Sequence, residues 1–210
     1  MLAILIIPVR VILILVTLLL AYVVSSVALY NLSEKEKSEK PIAPYWIKLS
    51  QKVVEFLFRT SVRICGFSVT VKGERASAEE APILVAAPHS GFFDAFALFW
   101  SKTPYLVSRE ENSKMPILGK CLELGQPILV KREDPNSRQN TVQEIVRRTN
   151  LHNHPDPAER WPQLLIFPEG STSNRKALMS FKLGAFYPGK PVQPVLLRYP
   201  NRIDTVTWTW

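Results

Sequence analysis

Pro82-Ile-Leu-Val-Ala-Ala87-Pro88-His89-Ser90-Gly91-Phe92-Phe93-Asp94 is the stretch on which the fold turns. Its first half is a short continuous apolar run, the pattern of a strand buried on both faces. Pro88 ends the run, and a helical segment is predicted over residues 94–100. Strand, loop and helix in that order are half of a strand–helix–strand unit. The alternation continues in both directions. Residues 67–71 alternate with period two and predict a strand. Further strands are predicted at 105–107, 127–130, 164–167 and 192–197, and helices at 113–124, 137–149 and 176–186. The fold class is therefore α/β, a central and largely parallel sheet flanked by helices. Residues 152–162, with three prolines, predict an irregular loop. Residues 205–210 read as one more strand, so the domain over 66–210 is expected to be truncated at its C-terminus.

Ahead of this domain the chain changes character. Residues 11–30, VILILVTLLLAYVVSSVALY, carry no charge. Twenty helical residues span about 30 Å, the thickness of a bilayer's hydrocarbon core. A transmembrane or membrane-inserted anchor is expected over residues 1–32. A cleaved signal peptide fits less well, because the apolar run exceeds the roughly 7–15 residues of a signal core. A buried core helix of that length would carry polar residues. Lys35, Lys37, Lys40 and Lys48 follow the run and only Arg10 precedes it, which places the bulk of the chain in the cytoplasm. The sequon Asn31-Leu32-Ser33 would then face the cytosol and go unused.

Residues 33–65 read as a linker and a basic amphipathic helix. After a break at Pro41 to Pro44, Lys48, Lys52, Glu55, Arg59 and Arg63 recur at helical spacing. Trp46, Leu49, Val53, Phe56, Leu57 and Ile64 take the other side. Such a helix suits an anionic lipid surface or the domain's own core, and amphipathicity alone does not choose. A hairpin of both segments dipping into one leaflet is a third arrangement.

Composition is consistent with one domain plus an appendage. The chain has 210 residues, 47% apolar and 21% charged, values that exclude a disordered or collagen-like polypeptide. Two cysteines argue against a secreted disulfide scaffold and fit a reducing compartment. The net charge of +8 points to an anionic partner. Nucleic acid ranks low, since a stacking-aromatic platform and a reading motif are both missing from the sequence.

Three predicted strand ends carry reactive side chains. His89 lies just past the first, with Asp94 five positions on. A carboxylate that holds one imidazole nitrogen fixes the tautomer and frees the other nitrogen as a base; the bland alternative is a histidine and a helix-capping Asp with no joint role. Phe167-Pro168-Glu169-Gly170-Ser171-Thr172-Ser173-Asn174-Arg175 offers a carboxylate, a glycine, three hydroxyls and a cation, suited to cradling an anion or polarising a carbonyl, or merely to capping a helix. Gly125-Gln-Pro-Ile-Leu-Val-Lys131-Arg132 ends on two cations, and an Arg at a strand end suits bidentate phosphate binding. Strand ends are where open α/β sheets place their sites.

These motifs, in this order and followed by Val192-Gln-Pro194-Val195, resemble the glycerolipid (1-acylglycerol-3-phosphate) acyltransferase family from about Gly66 to Trp210. Glu169 to Arg175, with Pro194-Val-Leu-Leu-Arg-Tyr-Pro-Asn201, is most similar to its lysophosphatidylcholine acyltransferase branch. Two departures are Pro88, where many members have Asn, and Ser171, often Thr. The resemblance implies acyl transfer from acyl-CoA, a co-substrate, to the hydroxyl of a lysophospholipid, lysophosphatidylcholine or its ether analogue, with no cofactor. His89 would be the general base and Asp94 its orienting partner. Arg132, Glu169, Gly170, Ser171, Thr172, Asn174 and Arg175 would bind substrate. Cys65 and Cys121 lie outside the motifs and are expected to be structural. Alternatives are a lysophosphatidate acyltransferase, a CoA-independent transacylase or an inactive membrane-anchored lipid-binding module. No metal site is expected: His152-x-His154 lies in a proline-rich loop without H-E-x-x-H or paired C-x-x-C. The implied location is the endoplasmic reticulum membrane, with Golgi and lipid droplet as alternatives, the domain facing the cytosol.

Overall fold

The structure, a computed structural model, describes residues 2–42, 44–101, 105–200 and 206. Helix α1 (Leu2–Leu29) is followed by a short α2 (Glu34–Glu39), whose Ser33 and Glu36 form a capping box. The amphipathic helix α3 (Tyr45–Ile64) comes next. Then strands and helices alternate: β1 (Ile83–Ala87), α4 (Phe93–Ala97), β2 (Tyr105–Arg109), α5 (Glu110–Ser113), α6 (Leu118–Leu124), β3 (Ile128–Val130), α7 (Ser137–Asn150), β4 (Leu164–Ile166) and β5 (Val192–Leu196). All strand pairs are parallel, in the order β3-β2-β4-β1-β5. The α/β class read from the sequence is what the chain adopts.

The all-apolar strands reflect burial on both faces. Ile83, Val85, Leu164 and Ile166 pack with Tyr105, Ile145 and Trp161 on one side, while Leu84, Ala86 and Leu165 pack on the other. β1 lies between β4 and β5, so its C-terminal end, and His89 beyond it, sits over the interior of the sheet rather than at an edge.

Four expectations fail. Residues 67–71 form no strand: Gly66, at φ 95°, redirects the chain after α3, and Phe67 packs on the Phe93 ring at 4.7 Å. The helix expected over 113–124 is two pieces. Pro116 lacks the amide a continuous helix needs, and Ile117 turns the chain at φ 64°. Gly119 then lies so close to Ser113 that a Cβ would meet the Ser113 carbonyl oxygen at 2.1 Å. The helix expected over 176–186 is irregular, with one 3₁₀ turn at Leu183–Ala185. Its backbone is tied to the site instead, the Lys182 N–H donating to the Pro168 carbonyl at 2.8 Å. The helix expected over 94–100 also divides, into α4 and a 3₁₀ turn, Leu98–Ser101. Of the strand expected at 205–210, only Val206 is described, and it is buried; the remainder lies outside the described residues.

α1 and α3 form an antiparallel hairpin. The Thr17 and Ser61 hydroxyls hydrogen-bond at 2.7 Å, and Arg10 lies beside Gly66 at the far end of α3. Ala21, Ala28 and Leu29 of α1 pack with Ile47, Val54 and Phe58 of α3 and with Cys121 and Leu124 of α6. The outer side of α1 is bare, and Leu5–Leu29 is long and apolar enough to cross a membrane. α3 therefore packs on the domain with one flank and leaves Trp46, Leu49, Val53 and Phe56 exposed on another.

Candidate active site

Residues 88–93 fold back on the end of β1. Asp94, in the first turn of α4, is fully buried. Its Oδ2 accepts from Ser90 N at 2.6 Å and Gly91 N at 2.9 Å, and pairs with His89 Nδ1 at 2.8 Å. Its Oδ1 accepts from Tyr199 Oη at 2.6 Å. Burial alone would raise the Asp94 carboxyl; the hydrogen bonds from His89, Tyr199, Gly91 and Ser90 outweigh it and hold the group below the ordinary carboxylate range. The His89 ring stacks on Phe167 at 4.0 Å and lines the cavity described below. With Nδ1 engaged by the carboxylate, Nε2 is the nitrogen available to take a proton.

Glu169 and Gly170 stand at the end of β4, next to β1 in the sheet. Glu169 is buried, and its Oε1 accepts from the backbone N–H of His89 at 2.8 Å. The carboxylate thus lies behind the histidine and not on the cavity wall. Gly170 has φ 68°, and a Cβ there would meet Lys182 Nζ at 2.8 Å, so glycine suits both backbone and space. Arg132, beyond β3, donates to the Gly170 carbonyl at 3.1 Å. Ser173 N donates to the His89 carbonyl at 2.7 Å. Of the three strand-end loops singled out in the sequence, the one after β4 therefore touches both of the others directly.

Arg132, Gly170, Ser171, Thr172 and Asn174 share with His89 the lining of one cavity of about 1400 Å³. Phe92, Phe96 and, from α3, Gln51, Val54, Glu55 and Phe58 line it as well. Arg175, at φ 60°, instead places its guanidinium over the Tyr199 ring, 5.2 Å from the centroid. Two contributors escaped the sequence reading. Tyr199 sits in a stretch that carried only the resemblance, and its contact with Asp94 joins residues 105 positions apart. Lys182 fell within the mispredicted helix. Cys121 is buried and Cys65 half-buried, and burial pushes both thiols up, the opposite of what a nucleophile needs. Among the described residues no cluster of His, Cys, Asp and Glu could hold a metal ion.

Comparison with known proteins gives a consistent result. The Acyltransferase family model matches residues 68–198. The chain is 48% identical over 210 residues to lysophosphatidylcholine acyltransferase 2 of Homo sapiens, covering 100% of this chain and 37% of that protein. It is 50% identical over 204 residues to lysophosphatidylcholine acyltransferase 2B of Mus musculus, covering 97% of this chain and 38% of that protein. The chain thus spans well under half the length of these relatives. The crystal structure of the 1-acyl-sn-glycerophosphate acyltransferase of Thermotoga maritima is similar in fold, with a TM-score of 0.50, 20% identity, and coverage of 87% of this chain and 73% of that one.

Proposed function

Because this chain belongs to the acyltransferase family, we propose that it transfers a fatty acyl group from acyl-CoA to the free hydroxyl of a lysophospholipid, as a step of phospholipid remodelling. The observation that carries the reading is the His89–Asp94 pair, 2.8 Å apart, with His89 on the wall of a cavity that also holds Arg132 and a run of apolar side chains. A thioester is already activated, so the demanding step is to make the hydroxyl nucleophilic. Nε2 of His89 takes the hydroxyl proton as its oxygen attacks the thioester carbonyl, and Asp94 stabilises the imidazolium. Collapse of the tetrahedral intermediate expels the CoA thiolate, to which the imidazolium returns the proton. The reaction needs neither a covalent acyl-enzyme nor a cofactor.

Arg132, with Ser171, Thr172 and Asn174 on the same wall, holds the acceptor's phosphate and glycerol. Gly170 lets the loop approach the substrate closely. Glu169 acts through the His89 backbone, and Arg175 through Tyr199. The acceptor best supported is lysophosphatidylcholine or its ether analogue, from the names and 48–50% identity of the relatives. The test is CoA release with one acyl-CoA and a panel of lysophospholipid headgroups. Turnover with lysophosphatidylcholine is expected. Turnover with lysophosphatidate alone would move the chain to the other acceptor class, and lipid binding without CoA release would make it a binding module.

The hairpin sets the membrane disposition. α3 runs antiparallel to α1 with Ser61 beside Thr17, so a straight crossing by α1 would carry Arg59 and Arg63 close to the level of its midpoint. Each charge near a bilayer centre costs about 2.5–3.5 kcal/mol. A hairpin seated in one leaflet avoids that, with the domain and its cavity on the cytosolic side of the endoplasmic reticulum. Single cysteines at Leu5 and Ser38, in a background lacking Cys65 and Cys121, are expected to react with an impermeant maleimide from the same side. Labelling from opposite sides would mean a crossing.

A further inference from the structure

The partners of Asp94 divide by oxygen. Oδ2 is engaged by its own loop, through His89, Ser90 and Gly91. Oδ1 accepts from Tyr199 Oη at 2.6 Å, with Ser90 Oγ at a marginal 3.5 Å. An Asp94 without the tyrosine would leave one oxygen of a fully buried carboxylate nearly unsatisfied. The sheet delivers the tyrosine: β5 pairs with β1 in register to Ala87↔Leu196, and Leu197 N donates to Ala87 O at 3.0 Å. Two residues later Tyr199 stands above the loop that holds His89. Its ring meets the Arg175 guanidinium from the loop after β4.

We propose that Tyr199 is a positioning residue of the reaction, its phenol hydroxyl fixing the Asp94 carboxylate that orients His89. The proposal rests on the reading of His89 as the base. The phenol is a donor suited to the task. Burial, and then the hydrogen bond and charge of Asp94, push its ionisation upward, so it stays protonated across the range in which the enzyme works. The other charged groups around this cluster are the Glu169 carboxylate on the His89 amide, Arg175 on the tyrosine ring, and Arg132 and Lys182 at Gly170.

Tyr199→Phe keeps the ring and its contact with Arg175 and removes one oxygen. A carboxylate with one donor fewer holds the imidazolium more tightly and is freer to turn. The full chain in detergent or vesicles is therefore expected to lose about tenfold in kcat/KM at neutral pH. Its acidic limb should move to higher pH by about half a unit or more, with KM for acyl-CoA little changed. Ethoxyformylation gives a second readout that needs no turnover, because only neutral imidazole reacts. The pH dependence of His89 modification, protected by acyl-CoA, should move the same way. Wild-type profiles in both measurements for Tyr199→Phe, with His89→Ala inactive, would overturn the role of Tyr199 and leave the base reading standing. An active His89→Ala would overturn the base reading, and the role of Tyr199 with it.

Discussion

The His89–Asp94 site and the α1–α3 hairpin handle their side chains in opposite ways. At the sheet's C-terminal edge a carboxylate is completely removed from water and supplied with donors: Asp94 takes two backbone amides, an imidazole and a phenol. At the hairpin, large apolar side chains stay bare, Trp46 at 46% and Phe56 at 63% exposure, on a helix whose other flank is already packed. A satisfied buried charge marks the place at which the chemistry is proposed. An unsatisfied apolar face marks where a second apolar phase is still to come. One cavity is lined both by His89 and by Val54 and Phe58 on the buried flank of α3, the flank away from the bare face. The proposed catalytic histidine and the packed flank of α3 thus share one space, which suits the amphiphilic substrates proposed above.

The sharpest way to break the contrast is to remove the chemistry and leave the hairpin. His89→Ala is expected to lose about 10²–10⁴-fold in kcat, the worth of general-base help. Asp94→Asn should fall in a similar range, since the imidazole would lose its orienting charge. Vesicle binding should be unchanged in both. Turnover near wild type by His89→Ala, measured as CoA release on protein with an unaltered melting transition, would refute the mechanism.

How much of this was legible in the sequence depends on whether a signal was local. β1, α7, β4 and β5 were readable because continuous apolar runs and one helical periodicity carry them. The His89–Asp94 pair was readable because both residues lie on one short loop. Where long-range contacts decide, pattern reading failed. Residues 67–71 alternate like a strand, yet β5 and β3 already occupy the sheet's edges. Residues 176–186 contain helix formers, yet the Lys182 amide is drawn to the Pro168 carbonyl of the site loop. Glu169 looked like a substrate ligand by type, but its placement behind the His89 amide depends on β4 lying beside β1. The partner of α3 was undecidable from amphipathicity, and the fold supplies half the answer by packing one flank.

Acid separates the two regions more gently. The Asp94 carboxyl is held below its ordinary value of 3.8, so the unfolded chain binds a proton there before the native one does. Its contribution to stability is full above that ordinary value and disappears as pH falls through the lowered native value. Asp94→Asn removes this titration. The slope of melting temperature against pH is expected to flatten below about pH 4 in the variant, seen by tryptophan fluorescence. An unchanged slope would mean that Asp94 does not couple to folding. The hairpin's apolar contacts carry no such dependence.

The smallest effects belong to the hairpin's surface, and they test what the bare face is for. Burying a Trp or Phe side chain is worth about 1.5–3 kcal/mol when complete. With both rings only partly exposed, Trp46→Ser and Phe56→Ser should each weaken vesicle partitioning by about tenfold, with kcat unchanged once the protein is bound. Lys48 and Lys52, one turn apart and exposed, add attraction to anionic headgroups. At about 1 kcal/mol per charge near the surface, Lys48→Gln should cost about fivefold in partitioning to vesicles containing phosphatidylserine. It should cost nothing on purely zwitterionic ones, and the difference should shrink as salt rises. If the apolar variants bind like wild type while the lysine variants do not, the face is held by charge alone. The hairpin would then rest on the surface rather than enter it.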